Sequence, residues 1–276
     1  MFSMNRLPLE TRARILGCLT EGMSMRATSR LADVSINTVT KLLVDVGTAA
    51  DLYQNEKLRD LECKRVQCDE IWSFCGMKEK NVPEERQGEL GTGDVYTWTA
   101  LDADSKLAVS WLVAKRDAWY AEKFIGDLRS RIANPVQLTT DGHLAYLTAV
   151  EKHFGDEADY AMLVKIFAHV PRAGRYSPPE CIGTKTRRVS GNPDPVHIST
   201  SFVERQNLNM RMSMRRFTRL TNAFSRKVQN LECAVALHFM HYNFGRIHKT
   251  LRVTPAMEAG IADHVWSMEE IAALAH

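Results

Sequence analysis

Three acidic residues occupy positions where their carboxylates could act together: Asp69 in VQCDEIWSFCG, Asp141 in LTTDGHLAYL and Glu204 in SFVERQNLNMR. The first two interrupt or end apolar, strand-like runs, and the third opens a strongly basic helical stretch. Three carboxylates gathered at one place can hold two divalent metal ions, which is the apparatus for in-line displacement at a phosphodiester. These residue types therefore favour an enzyme that acts on nucleic acid.

Basic residues are concentrated next to the third carboxylate. Between residues 204 and 252 there are ten Lys and Arg residues against two acids, whereas the net charge of the whole chain is only +3. A positive block beside carboxylates suits a polyanionic substrate. The alternative, a solvated helix face, does not account for the scarcity of acids. We expect this block to contact DNA or RNA, through residues that include Arg205, Asn207, Arg211, Arg215, Arg216 and Arg219.

The elements that must position the first two carboxylates form an α/β pattern. VQCDEIWSF, VYTWTAL and LAVSWLVA predict three strands, and the turn DADSK predicts a hairpin between the last two. A helix over AWYAEKFIGDLRSRIA, a short strand VQLTT, a helix over LAYLTAVEKHF and a strand MLVKIF follow. Three antiparallel strands followed by alternating helices and strands is typical of the ribonuclease-H-like fold.

This order predicts where each carboxylate lies. Alternation places Asp69 in the middle of the first strand, where a lone charge is costly unless it is paired or bound to metal. Asp141 ends the fourth strand, at the kind of sheet edge where open α/β sheets collect ligands. Glu204 begins the helix after the fifth strand and can lean over the same edge. By contrast, Asp102 and Asp104 lie in or beside a turn and are expected to be structural.

The N-terminal residues predict a separate helical unit. Helices are expected from Pro8 to Glu21, after Ser24 as N-cap, and after Ser35 as N-cap, the third being closed by Gly47. This is the helix-turn-helix arrangement, although plain three-helix bundles share its periodicity. The outward residues expected to contact DNA are Asn37, Thr38 and Lys41.

The resulting domain prediction has four parts. Residues 1–47 form the all-α helix-turn-helix domain and residues 48–64 a helical linker. Residues 65–260 form the ribonuclease-H-like, mixed-sheet catalytic domain, and residues 261–276 a C-terminal tail. An irregular loop over 168–197, rich in Pro, Gly and basic residues, is inserted in the catalytic domain. It could clamp DNA or be a surface excursion.

Composition bounds the class of protein. The chain has 276 residues, 45% of them hydrophobic, which is enough for a substantial core. Its six cysteines are scattered without the spacing of a zinc site. No apolar run approaches the length that crosses a membrane, so we expect a cytoplasmic protein with no membrane partner. Nothing in the sequence points to a small-molecule substrate.

The three carboxylate blocks resemble those of bacterial DDE-type transposases, most of all the insertion sequence one (IS-one) type. VQCDEIWSF resembles the strand of the first Asp, LTTDGHLAYL the block of the second, and FVERQNLNMRMSMRRFTRLTNAFS the block of the catalytic Glu. The tail YNFGRIHKTLRVTPAMEAG resembles the closing segment of many integrase-core transposases, with Ile247 where Pro is usual. The resemblance covers roughly residues 65–260.

This resemblance implies a mechanism, cofactors and partners. Two Mg²⁺ or Mn²⁺ ions held by Asp69, Asp141 and Glu204 would support cleavage at the transposon ends and strand transfer into target DNA. The implied partners are terminal inverted repeats, target DNA and further copies of the chain assembled on DNA, in a bacterial cell close to the nucleoid. Arg211 lies two turns after Glu204, where it could grip a phosphate near the cut. Arg205 and Asn207 would orient the Glu or contact the DNA backbone.

Two other functions stay open. A catalytically inactive descendant that serves as a DNA-binding regulator would keep the N-terminal unit and the basic block, but it would not need all three acids. A nuclease of the same fold that does not transpose would share the acids, but such enzymes normally lack a module that binds transposon ends.

Overall fold

The computed structural model describes residues 6–168, 180–218 and 222–275. Nine α-helices and six strands lie within these ranges. The helices are α1 Leu9–Thr20, α2 Met25–Ala32, α3 Ile36–Lys57, α4 Ala118–Arg129, α5 Ala145–Phe154, α6 Ser201–Ser213, α7 Val228–Met240, α8 Pro255–Glu258 and α9 Met268–Ala273. The strands are β1 Arg65–Cys75, β2 Gly93–Asp102, β3 Ala108–Ala114, β4 Val136–Thr140, β5 Ala158–Ala168 and β6 Glu180–Ser190.

All six strands join one mixed sheet in the order β3-β2-β1-β4-β5-β6. The strands β1, β2 and β3 are antiparallel neighbours, β4 lies parallel to β1, and β5 lies parallel to β4. The predicted mixed α/β fold is confirmed, and the order and direction of the first five strands are consistent with a ribonuclease-H-like arrangement. Because β4 is parallel to β1, its carboxyl end reaches the middle of β1, where Asp69 lies.

The predicted irregular loop over residues 168–197 is wrong for its central part. Residues 180–190 form β6, which pairs antiparallel with β5 at the edge of the sheet. β-branched residues at alternate positions, Ile182, Thr184 and Thr186, favour an extended chain, and β5 offers an open edge for pairing. The strand escapes sequence patterning because its exposed side chains show no apolar alternation. Residues 169–179, with Arg172 and Arg175, lie outside the described part.

The prediction that Gly47 ends the third helix is also wrong, because α3 continues to Lys57. A Cβ at Gly47 would lie 2.5 Å from the Cβ of Cys233 on α7. Glycine is therefore placed inside this helix by the close approach of α7, and not by a helix end. About two turns after Gly47, the side-chain amide of Gln54 donates to the carbonyl of Ala236 at 3.1 Å. The first ten residues of the predicted linker 48–64 thus belong to a helix packed against α7.

The first and the last described helices pack against each other. The helix α9, within the predicted tail 261–276, packs against α1, and Arg12 donates to the carbonyl of Ala275 at 2.8 Å. The predicted N-caps Ser24 and Ser35 are confirmed, since each side chain accepts a backbone N–H of its helix at 3.1 Å. Among the described residues, no helix has both the length and the apolar character needed to cross a membrane.

Candidate active site

Two of the predicted carboxylates meet at the carboxyl end of β4. Cys68 of β1 lies opposite Thr140, the last residue of β4, so the next residue of each strand, Asp69 and Asp141, come side by side. Glu70 joins them, and one carboxylate oxygen from each of these three residues lies within 4.8 Å of the other two. We call Asp69, Glu70 and Asp141 the carboxylate cluster.

Glu70 is a member of the site that the sequence did not predict. Alternation along β1 sends Glu70 to the face opposite Asp69, where the side chain is only 2% exposed. The adjacent Asp-Glu pair in the sequence was the available signal. Strand alternation hides this signal, because neighbouring side chains of a strand do not share a face.

Burial and repulsion between neighbouring carboxylates raise the pKa values of Asp69 and Glu70. Desolvation, followed by the charge of Asp141, raises the pKa of Asp69 to about 7. The same two causes raise the pKa of Glu70 to about 8. Buried like charges favour the neutral form of a carboxyl group. A divalent cation would remove this penalty, because its charge favours both carboxylates in the ionised form.

Arg116 is the basic residue at the cluster. It follows β3, and its guanidinium lies 3.4 Å from both Glu70 Oε2 and Asp141 Oδ2. It also lies over the ring of Tyr96, 5.9 Å from the ring centroid. The backbone N–H of His143 donates to the other oxygen of Asp141 at 2.9 Å. Both contacts of Arg116 are longer than ordinary charge-assisted hydrogen bonds.

Glu204 lies beside the carboxylate cluster rather than within it. On the first turn of α6, its carboxylate is ion-paired with Lys165 of β5 and accepts from the hydroxyl of Thr200. Its charge is close enough to contribute to the raised pKa of Asp69. The structure therefore brings Asp69 and Asp141 together and places Glu204 next to them, where it is ion-paired with Lys165.

The helix α6 is fixed to β1 by hydrogen bonds. Gln67 Oε1 accepts from the backbone N–H groups of Phe202 and Val203, at the start of the helix. Farther along, the buried amide of Asn207 donates to Asp69 Oδ2 at 2.8 Å. Asn207 was predicted to orient the Glu or to contact DNA, but in this structure it holds the first Asp. Its Oδ1 is buried without a partner among the described residues.

The donor set suits a hard divalent cation. Carboxylate and amide oxygens are the ligands of Mg²⁺ and Mn²⁺, and here three carboxylates converge. Buried polar oxygens normally have partners, yet Asn207 Oδ1 has none among the described residues. The residues present therefore fit a divalent metal ion coordinated by oxygen.

The predicted basic contacts have different surroundings. Arg205 and Arg215 are exposed, while Arg211 is half-buried on α6. The Nε of Arg216 donates to Ser225 at 2.7 Å, and burial lowers the pKa of Arg216 to about 10. Arg219 lies outside the described residues.

Four arginines line a groove of about 940 Å³ between the N-terminal helices and residues 214–238. They are Arg26, Arg215, Arg216 and Arg226, and no Asp or Glu is among the described residues that line it. The described lining of the groove therefore offers an anionic ligand four positive charges and no competing carboxylate.

The predicted contacts on α3 lie at its first turns. Asn37 and Lys41 are exposed, and Lys41 pairs with Asp45 at 2.6 Å across one helical turn. Thr38 is partly buried, and its hydroxyl lies 2.9 Å from that of the N-cap Ser35. Part of the hydrogen-bonding capacity of Thr38 is thus used within the helix cap.

Comparison with known proteins leaves the family open. No protein-family model matches the sequence, and no curated protein matches it significantly. Among solved structures, the chain aligns with the Mos1 strand transfer complex at 12% identity and a TM-score of 0.23, over 56% of this chain and 58% of that chain. It aligns with a piggyBac transposase synaptic complex with hairpin DNA at 9% identity and a TM-score of 0.42, over 100% and 73%. The chain thus spans just over half of the Mos1 chain.

Proposed function

We propose that this chain is a DDE-type transposase that cleaves DNA and transfers strands at the ends of an insertion sequence. The observation that carries the proposal is the carboxylate cluster: three carboxylates within 4.8 Å on adjacent parallel strands, with Glu204 beside them. The resemblance of the three sequence blocks to DDE transposases of the IS-one type supports it. Such a cluster at the carboxyl end of β4 is where an open α/β sheet binds ligands.

The proposed roles follow from the positions of the side chains. Asp69, Glu70 and Asp141 would hold one Mg²⁺ or Mn²⁺ ion, and Glu204 would provide a ligand for a second. When bound, the ions supply a Lewis acid that activates the attacking oxygen and stabilises the leaving one. Asn207 orients the Asp69 carboxylate, and the backbone N–H of His143 orients that of Asp141.

The DNA path is proposed to run from the cluster to the arginine-lined groove. Arg215 and Arg226 are exposed at this groove. They would bind the phosphates of DNA of any sequence, because phosphate contacts do not read the bases. Asn37 and Lys41 on α3 are proposed to read the terminal inverted repeat, as the second helix of a helix-turn-helix does. Assembly of further copies on DNA is part of the proposal, as is a location in the cytoplasm.

One experiment separates this function from its two alternatives. Purified full-length chain is incubated with Mg²⁺ or Mn²⁺, supercoiled plasmid and an oligonucleotide duplex carrying the DNA that ends the element around the gene. A transposase joins the 3′ end of the duplex to the plasmid. A nuclease that does not transpose nicks without joining, and an inactive regulator binds the duplex and leaves both DNAs intact. Absence of joined product with both metals would contradict the proposal.

The groove is tested by the salt dependence of DNA binding. Replacing Arg215 by Ala should flatten the slope of log affinity against log salt concentration by about one unit, because one phosphate contact is lost. Lys152→Ala on α5, which removes a partner of Glu122, is the matched control and should leave the slope unchanged. Equal slopes for the Arg215→Ala protein and wild type would place the DNA path elsewhere.

A further inference from the structure

Two basic side chains neutralise the acidic residues of the site, and they come from segments outside the three sequence blocks. Arg116, after β3, contacts Glu70 and Asp141, and Lys165, on β5, contacts Glu204. The four carboxylates of the site thus share two cations. Both cations are partly open to solvent, because the Arg116 side chain is 36% exposed and that of Lys165 is 33% exposed.

The contacts of Arg116 differ from those of a structural arginine in the same protein. Arg131 binds both oxygens of Asp127, at 2.7 and 3.1 Å, and its side chain is only 9% exposed. Arg116 instead divides itself between two acids at 3.4 Å each. A guanidinium that served only to stabilise the fold would be expected to satisfy a carboxylate with short, paired hydrogen bonds.

Lys165 has a similar position on the other side of the cluster. Thr140 ends β4 opposite Met162, so Lys165 lies three residues beyond the last β4 pairing, where β5 continues with β6 alone. Its neighbours Val164 and Ile166 are exposed. The ammonium is therefore held over the site by a strand that projects past the edge of the central sheet.

We propose that Arg116 and Lys165 are exchangeable positioning residues, which hold the carboxylates in the metal-free protein and bind DNA phosphates once divalent metal occupies the site. This inference rests on the proposed function. A divalent ion competes for the same oxygens with twice the charge, and the displaced guanidinium and ammonium are both good phosphate ligands. Metal and DNA must then strengthen each other's binding, because each favours the same rearrangement of Arg116 and Lys165.

The first test measures metal binding without DNA, by calorimetric titration of the full-length protein with Mn²⁺. Arg116→Ala and Lys165→Ala should each bind Mn²⁺ about two- to fivefold more tightly than wild type, the range set by loss of one partly exposed ion pair. Lys152→Ala removes a comparable ion pair on α5 and should match wild type. Arg116→Lys keeps a cation and should stay near wild type. Unchanged or weaker binding by both Ala variants would overturn the inference.

The second test measures the coupling between metal and DNA, using Ca²⁺ and a random-sequence 30-base-pair duplex. In wild type, Ca²⁺ should tighten DNA binding, and in the Arg116→Ala, Lys165→Ala double variant at least about half of that gain, on a logarithmic scale, should be lost. The Lys152→Ala control should keep the full gain. A double variant whose DNA affinity responds to Ca²⁺ as wild type does would contradict the exchange.

A further variant distinguishes failure of the proposed function from failure of the proposed exchange. Asp69→Asn should bind Mn²⁺ at least about tenfold more weakly, because it removes a carboxylate from the cluster. If Asp69→Asn binds Mn²⁺ as wild type does, the proposed function fails. If it loses Mn²⁺ while Arg116→Ala and Lys165→Ala gain nothing, the proposed function stands and only the exchange is wrong.

Discussion

The sheet carries two groups of acids whose surroundings differ. The carboxylate cluster lies at the carboxyl end of β4. The other group, Asp102 and Asp104, lies at the carboxyl end of β2, next to the start of β1. Both groups are partly or fully buried, so burial alone does not distinguish a candidate metal site from a structural turn.

The difference lies in the hydrogen-bond donors that each carboxylate finds nearby. Asp102 accepts from the backbone N–H and the hydroxyl of Ser105, at 2.8 and 2.6 Å. Asp104 is paired with Arg65, and this hydrogen bond lowers the pKa of Asp104. These donors lie in the same tight turn or on the adjacent strand. Each of these acids therefore has a donor of its own, which stabilises Asp104 in the ionised form, whereas burial still raises the pKa of Asp102.

In the carboxylate cluster each acid lies close to the other two acids. Asp141 is the strongest charged influence on the pKa of both Asp69 and Glu70, and it raises both. The nearest cation, Arg116, is 3.4 Å from its carboxylate oxygens. Convergence of three carboxylates is thus the feature that separates a candidate cation site from a turn, and each prediction below contrasts the two groups.

The largest expected effect is on DNA cleavage. Asp69→Asn should lower the rate of metal-dependent strand cleavage by at least about a thousandfold, because the loss of one charged ligand disorders the bound metal. The comparison variant is Asp104→Asn in the turn, which should cleave at close to the wild-type rate. Nicking of supercoiled plasmid in Mg²⁺ measures both. Substantial cleavage by the Asp69→Asn protein would remove the cluster from the mechanism.

The next effect distinguishes the ligands within the site. Glu70→Gln should weaken Mn²⁺ binding in the absence of DNA by about 10- to 100-fold, the loss typical of a damaged metal site. Glu204→Gln should weaken it less, because Glu204 is paired with Lys165 and lies outside the cluster, but it should still abolish cleavage. Calorimetric titration gives the first result and the nicking assay the second. The reverse order of affinities would make Glu204 the primary ligand.

The pH dependence of stability should have opposite signs for the carboxylate cluster and for Asp104 of the turn. The pKa values of Asp69 and Glu70 are raised in the folded state, so between about pH 4 and 8 the folded protein binds more protons than the unfolded chain. Stability of the metal-free protein should therefore fall as pH rises through this window. Asp104, whose pKa is lowered, contributes stability above its unfolded pKa of 3.8 and loses it at lower pH.

Denaturant unfolding in EDTA at a series of pH values measures this. Asp69→Asn and Glu70→Gln should flatten the decline between pH 5 and 8, whereas Asp104→Asn should change the profile only below about pH 4. A wild-type protein equally stable at pH 5 and pH 8 would show that the cluster is already neutralised without metal.

The smallest effect is the cost of breaking the turn. Asp104→Asn should lower the free energy of unfolding at pH 7 by at most about 1 kcal/mol, because the Arg65–Asp104 pair is partly exposed. Thermal unfolding with and without Mn²⁺ should show this small loss and no change in the stabilisation by Mn²⁺. If the variant responded less to Mn²⁺, the two groups of acids would be linked across β1.

Much of this contrast could be predicted from local patterns. The sequence DADSK predicts a turn, and Asp102 ends β2 with its side chain capping that turn, as expected of a structural acid. Likewise, an apolar run ending in Thr-Thr-Asp-Gly predicts a strand that stops at Thr140 and delivers Asp141 to a sheet edge. Both patterns are short, and backbone conformation at this scale depends on residues a few positions apart.

Other features depended on how distant segments come together. A glycine such as Gly47 is typical of a helix end, but here it lies inside α3, where α7 approaches closely. The strand β6 has no apolar face and forms because β5 leaves an edge open beside it. Helix length and edge pairing were therefore decided by packing partners that the local sequence does not contain.

The sequence by itself determined the mixed α/β order of elements and the placing of Asp69 and Asp141 on neighbouring strands. Only the tertiary structure decided that Glu70 completes the cluster, that Arg116 contacts it, and that Glu204 lies beside it, paired with Lys165. The physical reason is one of range. Hydrophobic periodicity fixes which face a residue takes within its own element, whereas the distance between two carboxylates depends on the register between strands far apart in the chain.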